Sequence, residues 1–277
     1  MITDLFPQLM PSPYLDAFSI CLGIMASTWL LSVITREYSW VDRIWSIAPA
    51  VYAIYVAEAA AFENTRLNVM TILVTLWAIR LTYNYASKGG YWKGGEDYRW
   101  EIIQNKVKPW QFQVFNATFI SPYQNVLIFL FVAPMHTAWL HQDVPFGLWD
   151  IVGTILFAGL LILETAADLE MFRFQEDKKA RIARGETVDP PFYDQGLYRY
   201  SRHPNYFAEI GQWWVLNLFA VAASATWLNW TLIGAFLLHA LFEGSTRFTE
   251  SISLSKYPSY ADYQKRVSRL IPLPPRR

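Results

Sequence analysis

The stretch 201–221, SRHPNYFAEIGQWWVLNLFAV, decides the fold because a dense polar motif runs directly into an apolar segment. Its first nine residues include two cations or potential cations, Arg202 and His203, and one carboxylate, Glu209. Pro204 suits the first turn of a helix, where a backbone N–H has no intrahelical partner. The residues after Glu209 are apolar enough to enter a membrane. The stretch therefore predicts a helix start at a membrane edge, with ionisable groups gathered there.

The composition of the whole chain is that of a membrane protein. Of its 277 residues, 53% are hydrophobic, 17% are aromatic and 17% are charged. A typical soluble domain has about 25% charged residues. The charges are clustered, and the long apolar gaps between them indicate an all-α polytopic membrane protein. A net charge of zero gives no indication of a nucleic-acid partner, and the single Cys21 offers no disulfide framework and no thiol metal site. We expect neither nucleic acid nor metal as a partner.

Seven transmembrane helices are predicted within one integral-membrane domain, 1–277. Their approximate bounds are 15–34, 44–62, 67–87, 114–135, 148–169, 206–223 and 227–243. Most approach the roughly 20 residues needed to cross a hydrocarbon core. With the N-terminus outside and the C-terminus cytoplasmic, the cytoplasmic segments hold 21 of the 23 Lys and Arg residues. This asymmetry follows the positive-inside rule and sets the predicted orientation. The charged run 173–196 is expected to extend the fifth span as a helix and to break at Pro190.

Polar side chains inside the predicted spans are costly and usually mark function. They share helical spacing on spans three, five and six: Arg80 with Asn84, Glu164 with Asp168, and Asn205 with Glu209 and Gln212. Span four carries the polar run 116–125, NATFISPYQN, in which Pro122 is expected to bend the helix. The structural alternative for each group is pairing or snorkelling at the interface. Together they lie in the cytoplasmic halves of spans two to six, which indicates one polar cavity open to the cytoplasm rather than scattered helix contacts.

The polar segment just before the sixth span suits the cytoplasmic rim of such a cavity. Arg199, Arg202 and His203 can bind phosphate, and a helix start offers free N–H groups and a positive dipole end. The alternative is a basic anchor with a helix cap, which accounts for the arginines but not for His203, Asn205 and Glu209. The favoured contents of the cavity are an anionic, phosphate-bearing cofactor and an apolar substrate.

At SRHPNYFAE, 201–209, the sequence resembles the membrane reductases related to steroid 5-alpha-reductase and the sterol reductases. The resemblance extends over most of the chain, through these elements: SWVDRIWSIAP (39–49), LWAIRL (76–81), GGYWKGGEDYRW (89–100), ETAADLEMFRFQ (164–175) and KYPSYADYQKRVSRLIP (256–272). It implies a multi-span enzyme of a bacterial inner membrane or the endoplasmic reticulum, with a cofactor-binding half at about 148–277. Such an enzyme binds NADPH on the cytoplasmic side and reduces a carbon–carbon double bond. The substrate implied is an apolar, steroid-like or prenyl enone.

The resemblance also implies roles for single residues. Asn205 and Glu209 match polar cofactor-pocket positions, Asp168 matches an acidic cofactor contact, and Glu164 stands where the steroid enzymes carry Asn. The other expected cofactor contacts come from the segment that closes over the cofactor, from the tail, from span three and from the EDYRW element: Arg199, Arg202, His203, Arg247, Glu250, Tyr257, Tyr263, Arg80, Asn84, Tyr98 and Arg99.

The resemblance places Asp42 and Trp77 at the catalytic positions. Alignment on the nearby proline puts Asp42 where the steroid enzymes use Glu, and alignment on the arginine of LWAIRL puts Trp77 where they use Tyr. Asp42 either polarises a carbonyl oxygen in its protonated form or orients another donor, and Arg43 beside it opposes protonation unless its side chain points to the lipid headgroups. Trp77 has an N–H donor but cannot deliver a proton as a phenol does, so stacking is its expected role. A phenol from Tyr83 or Tyr123 is the open alternative.

Two other classes of protein share part of this pattern. Membrane isoprenylcysteine and phospholipid methyltransferases have a similar Arg-His-Pro-x-Tyr element but bind S-adenosylmethionine. They usually lack the equivalent of Asn205 and carry Gly where this chain has Ala208, which favours the reductase. A non-enzymatic transporter or lipid-binding protein is the third alternative, although the sequence has no internal repeat or paired broken helices.

Overall fold

The computed structural model describes residues 12–276, and the regular secondary structure of this part of the chain is helical. It contains an isolated backbone bridge between Ser201 and Ser268 and no β-strand. The helices are α1 Pro13–Asp16, α2 Phe18–Thr35, α3 Trp40–Ile44, α4 Ile47–Ala59, α5 Thr65–Ser87, α6 Tyr98–Gln104, α7 Pro109–Phe115, α8 Gln124–Phe131, α9 Pro134–Leu140, α10 Leu148–Ala183, α11 Pro204–Ser224, α12 Ile233–Lys256 and α13 Tyr260–Arg266. A π-helical segment, Asn116–Tyr123, joins α7 to α8, and short 3-10 turns cover Gly196–Arg199 and Trp230–Leu232.

Membrane character is confirmed at the level of single helices. Within residues 12–276, three segments are long and apolar enough to cross a membrane: Pro13–Thr35, Pro109–Phe131 and Leu148–Ala183. They overlap the predicted first, fourth and fifth spans, 15–34, 114–135 and 148–169. The count of seven spans and the orientation stay predictions, and residues 1–11 lie outside the described part.

Two helices differ from the predicted spans in their bounds. α4 is shorter than the predicted 44–62, because Ala61 and Phe62 adopt positive φ angles of 51° and 56° that end the helix. α12 begins six residues later than the predicted 227–243, after a 3-10 turn capped by Asn229, and runs on to Lys256. Its charged second half is helical although it is too polar to be recognised as a span. The charged run after span five continues α10 to Ala183, as expected.

The polar run on span four forms helix contacts rather than part of a cavity. The π-helical segment, which contains Pro122, packs against α2 through a ladder of buried polar side chains. Asn116 Nδ2 donates to Ser32 Oγ at 2.9 Å, and the hydroxyls of Thr28 and Ser121 are 2.9 Å apart. Hydrogen bonds between buried side chains of neighbouring helices hold such helices together in apolar surroundings. These residues therefore depart from the expectation of one shared polar cavity.

The chain divides into two compact units. Among the described residues, unit 1 comprises 12–154 and Val215–Ala235, and unit 2 comprises Ile155–Trp214 and 236–276. Unit 2 falls within the predicted cofactor-binding half, 148–277. Unit 1 is held in part by a fully buried ion pair, in which Arg66 Nε and Nη2 donate to the two Asp150 oxygens at 2.7 and 2.9 Å. The guanidinium also donates to the carbonyl oxygens of Val144 and Pro145.

Candidate functional site

A buried polar face lies between α10 and α11 in unit 2. Asn205 Nδ2 donates to Asp168 Oδ1 at 3.2 Å, and Gln212 Nε2 donates to Glu164 Oε2 at 2.8 Å. Glu209 Oε1 accepts a hydrogen bond from Trp213 Nε1 at 3.1 Å. This face therefore joins the acidic residues of α10 to the polar residues of α11, and the i, i+4 spacing places each set on one side of its own helix.

The buried groups on this face are rich in hydrogen-bond acceptors. Glu164, Asp168 and Glu209 are each at most 9% exposed, and Gln212 is fully buried. Gln212 Oε1 has no hydrogen-bond partner among the described residues. Buried polar groups are nearly always hydrogen-bonded, so an acceptor of this kind is a reason to look for a donor-rich ligand.

Arg202 and His203 bind Glu250 of α12. Arg202 Nε and Nη2 donate to Glu250 Oε1 and Oε2 at 2.7 and 3.0 Å, and His203 Nε2 lies 2.9 Å from Oε1. Gln264 Nε2 also donates to Glu250, at 2.9 Å. Burial alone would raise the pKa of Glu250, but the hydrogen bonds from His203 and Arg202 and the Arg202 charge outweigh it and lower the pKa to about 2. We call these four residues the Glu250 cluster.

The C-terminal strap, residues 268–273, runs beside the segment that leads into α11. The backbone N–H groups of Arg202 and His203 donate to the carbonyls of Ser268 and Arg269 at 2.9 and 3.1 Å, and Leu273 N–H donates to Tyr200 O at 2.9 Å. These N–H groups lie immediately before α11, in the segment that the sequence predicts to bind phosphate. In the structure they are occupied by the strap.

The two tail tyrosines have different surroundings. Tyr263 is buried, donates its hydroxyl to Tyr198 O at 2.6 Å and stacks on Phe192, and burial raises its pKa. Its position is that of a packing residue. Tyr257 accepts a hydrogen bond from Lys178 Nζ at 3.1 Å. Burial alone would raise the pKa of Tyr257, but hydrogen bonds with Lys178 and Lys256 lower it.

Two further expected cations of unit 2 are at the surface. The Arg247 side chain is 70% exposed, with Nη2 3.5 Å from Glu243 Oε1. Arg199 is exposed at the end of the 3-10 turn and has no ion pair with another described residue. Because Arg202 is enclosed in the Glu250 cluster, Arg199 and Arg247 are the expected cations that stay accessible to a phosphate.

Asp42, in unit 1, has an environment that favours its neutral form. Burial, followed by the negative charge of Asp97, raises the pKa of Asp42 to about 6. Trp100 Nε1 lies 3.3 Å from Asp42 Oδ2. Arg43, which the sequence gives as an opponent of protonation, turns elsewhere: its Nη2 donates to Glu37 at 2.8 Å and its guanidinium lies over the Trp40 ring.

The other expected residues of unit 1 are spread over its core and surface. Trp77 is fully buried and packs edge-on against Phe131, with ring centroids 6.5 Å apart. Arg80 and Asn84 are half-buried on α5. Arg99 Nε donates to both oxygens of Asp97, at 2.9 and 2.8 Å, and Tyr98 is 52% exposed. The catalytic and cofactor roles of these residues stay predictions.

A cavity of about 470 Å³ opens in unit 2 on the opposite face of α11 from Asn205 and Glu209. Its walls come from the first half of α11, from α12 and from the C-terminal strap. Its polar residues, His239, Glu243, Ser268 and Arg269, are not among the site residues expected from the sequence. Arg269 lies outside the helices of the described residues, and although it falls within the element 256–272, the resemblance gives it no role.

The chain has recognisable relatives. A model of the family described as "Protein of unknown function (DUF1295)" matches residues 28–267, which include every expected site residue and end just before the strap. The chain is also similar to the uncharacterized protein C594.04c of Schizosaccharomyces pombe. The two are 38% identical over 259 residues, covering 88% of this chain and 75% of the relative. No solved structure matches the chain.

Proposed function

The chain belongs to the DUF1295 family, and from that premise we propose that it is an NADPH-dependent membrane reductase acting on a carbon–carbon double bond of an apolar enone. The observation that carries the proposal is the buried polar face between α10 and α11. Asp168 and Asn205 meet there, with Glu164, Glu209 and Gln212 beside them. This proposal places the protein with the reductases related to steroid 5-alpha-reductase.

The residues present fit a nicotinamide dinucleotide. Ribose hydroxyls and the nicotinamide carboxamide are hydrogen-bond donors, and they suit the carboxylates of this face and the unpartnered Gln212 Oε1. Phosphate groups suit the exposed Arg199. We assign the binding of the donor groups to Asp168, Asn205 and Glu209. When bound, NADPH supplies a hydride.

Asp42 is the residue that we propose to polarise the carbonyl oxygen of the substrate. A neutral carboxyl donates a hydrogen bond, whereas a carboxylate only accepts. The raised pKa of Asp42, about 6, keeps part of the population neutral near neutral pH. Trp77 is assigned no proton transfer, because an indole N–H cannot act as a phenol does.

Cofactor binding by the purified full-length protein tests the proposal. NADPH and S-adenosylmethionine are titrated separately into wild type, Asn205→Ala and the control Gln175→Ala, an amide exposed on α10. We expect saturable NADPH binding, weakened roughly tenfold by Asn205→Ala through the loss of a hydrogen bond to the cofactor, and unchanged by Gln175→Ala. Binding of S-adenosylmethionine alone would replace the reductase with a methyltransferase, and binding of neither would favour a transport or lipid-binding protein.

We further propose seven spans, with the N-terminus outside and the cofactor residues on the cytoplasmic side. The test starts from a Cys21→Ser background, since Cys21 is the single cysteine. Cysteines introduced at the exposed Lys93, Lys179 and Lys265 should react with a membrane-impermeant maleimide from the cytoplasmic side, and one at Asp143 from the other side. Labelling of all four from one side would overturn the layout.

A further inference from the structure

We propose that the cavity between α11, α12 and the C-terminal strap binds a single-chain amphiphile with an anionic headgroup. This site is independent of the proposed cofactor face. Asn205, Glu209 and Gln212 lie on one side of α11, at i, i+4 and i+7. The cavity residues of α11 lie at 207, 210, 211 and 214, which the helical repeat places on the opposite side. The two faces of α11 therefore serve different ligands.

The interior of the cavity suits a hydrocarbon chain. Its volume of about 470 Å³ falls within the range of roughly 300–1,000 Å³ typical of small-molecule sites. Its apolar walls are formed by Phe207, Ile210, Trp214, Leu270, Ile271 and Leu273. Ile271 and Leu273 are 62% and 49% exposed. A bound chain would cover apolar surface of the strap, and burial of apolar surface is the main source of affinity for such a ligand.

The polar end of the cavity, together with the surface beside it, carries more positive than negative charge. Glu243 is the carboxylate of the lining, and it forms an ion pair with Arg269. Arg247 Nη2 lies 3.5 Å from the same carboxylate, and His239 also lines the cavity. Two guanidinium groups, Arg269 in the lining and Arg247 on the surface beside it, thus pair with one carboxylate. Charge complementarity favours an anionic head, a carboxylate or a phosphate monoester, at this end.

The proposal is tested with the full-length protein in phosphatidylcholine nanodiscs. The probes are radiolabelled palmitate, lysophosphatidate and hexadecanol, an uncharged chain of palmitate length, with empty nanodiscs as background. We expect saturable binding of an anionic probe in preference to hexadecanol. Binding of palmitate alone assigns a carboxylate ligand, and binding of lysophosphatidate alone assigns a phosphate ligand.

Two substitutions in the polar end of the cavity are expected to change binding of the anionic probe in opposite directions. Arg269→Gln should weaken binding of the anionic probe roughly tenfold, by removing a charge-assisted hydrogen bond, while binding of hexadecanol stays unchanged. Glu243→Gln removes the competing carboxylate and should strengthen binding of the same probe. The matched control, Arg266→Gln, changes an exposed arginine outside the cavity lining and should have no effect.

Leu273→Trp supplies a steric test, since it fills the cavity while Leu273 is half exposed. It should abolish binding of every probe and leave NADPH binding intact. The proposal is overturned if no anionic probe binds saturably, if hexadecanol binds equally well, or if Arg269→Gln and Glu243→Gln change binding in the same direction. Loss of NADPH binding alone would bear on the proposed cofactor face and not on this site.

Discussion

Arg202 and Glu250 are joined by two parallel hydrogen bonds, from Nε to Oε1 at 2.7 Å and from Nη2 to Oε2 at 3.0 Å. The third nitrogen, Nη1, donates to Gln264 O at 2.9 Å and to Val267 O. One guanidinium therefore ties the start of α11 to α12 and to α13. A residue that the sequence offers as a phosphate ligand is thus a positioning residue for three elements of unit 2.

Glu250→Gln should destabilise the protein strongly. The side chains of Arg202 and Glu250 are only 9% and 6% exposed, so the substitution leaves a buried guanidinium without its counter-charge. Breaking a buried pair in this way costs about 3–5 kcal/mol. Denaturant unfolding of the purified protein in detergent measures the loss. The matched control is Glu186→Gln, whose ion pair with Arg184 is exposed, and it should change nothing measurable. Equal effects of the two substitutions would contradict the role of the Glu250 cluster.

The stability that Glu250 provides should depend on pH in one window. The pKa of Glu250 falls from an ordinary 4.5 to about 2 in the folded protein, so the unfolded chain takes up a proton first as the pH falls. The contribution is complete above pH 4.5 and is lost between pH 4.5 and about 2. We expect the difference in melting temperature between wild type and Glu250→Gln to shrink over this window. A difference that stays constant across it would contradict the lowered pKa.

The sequence largely predicted which residues share a face of a helix. It did not predict which residues of the neighbouring helix they bond to. The i, i+4 spacing of Glu164 with Asp168 and of Asn205 with Glu209 depends only on the helical repeat, and both pairs are on the buried face. Which residue of α11 meets which residue of α10 depends on how the two helices pack. The bonds from Asn205 to Asp168 and from Gln212 to Glu164 therefore had to be seen.

The strap and the cavity were beyond prediction for a physical reason. The strap bonds, such as Arg202 N–H to Ser268 O, link backbone groups far apart in the chain. Because backbone groups are the same in nearly every residue, the order of side chains does not indicate which of them will pair. The polar run at 116–125 was misjudged for the opposite reason. Its residue types are visible in the sequence, but the same amides and hydroxyls serve a cavity or a helix contact, and Ser32 and Thr28 of α2 determine the outcome.

In the wild-type protein, ionisation of the buried Asp42 should lower the stability of unit 1 as the pH rises, and Asp42→Asn should abolish this effect. The pKa of Asp42 rises from 3.8 to about 6 in the folded protein, chiefly through burial, so the folded state binds the extra proton. Wild-type stability therefore falls as the pH rises from 3.8 to about 6. The melting temperature of Asp42→Asn relative to wild type should increase across this range and then level off. The exposed Asp262→Asn serves as control and should track wild type, and a flat Asp42→Asn difference would count against the raised pKa.

Asp150→Asn should destabilise unit 1 because it leaves Arg66 charged and buried. The two side chains are 0% and 1% exposed, and the Asp150 carboxylate also accepts from Gly147 N–H at 2.8 Å. Removing the charge should cost about 3–5 kcal/mol of unfolding free energy. The control is Asp143→Asn, an exposed aspartate seven residues earlier, which should be neutral. A tolerated Asp150→Asn would mean that the carbonyls of Val144 and Pro145 are sufficient partners for Arg66.

Two glycines of α12 should respond to alanine with opposite signs. A Cβ atom on Gly234 would lie 2.1 Å from Leu130 O, a backbone atom that cannot turn aside, so the two elements would have to separate. Such overpacking typically costs about 1–3 kcal/mol. A Cβ on Gly244 would meet nothing within 4 Å, and alanine there should stabilise the helix by about 0.5–1 kcal/mol through helix propensity. Melting temperatures of Gly234→Ala and Gly244→Ala, measured side by side in detergent, should move in opposite directions. Stabilisation by both would show that α12 and the backbone at Leu130 do not approach as closely as the structure places them.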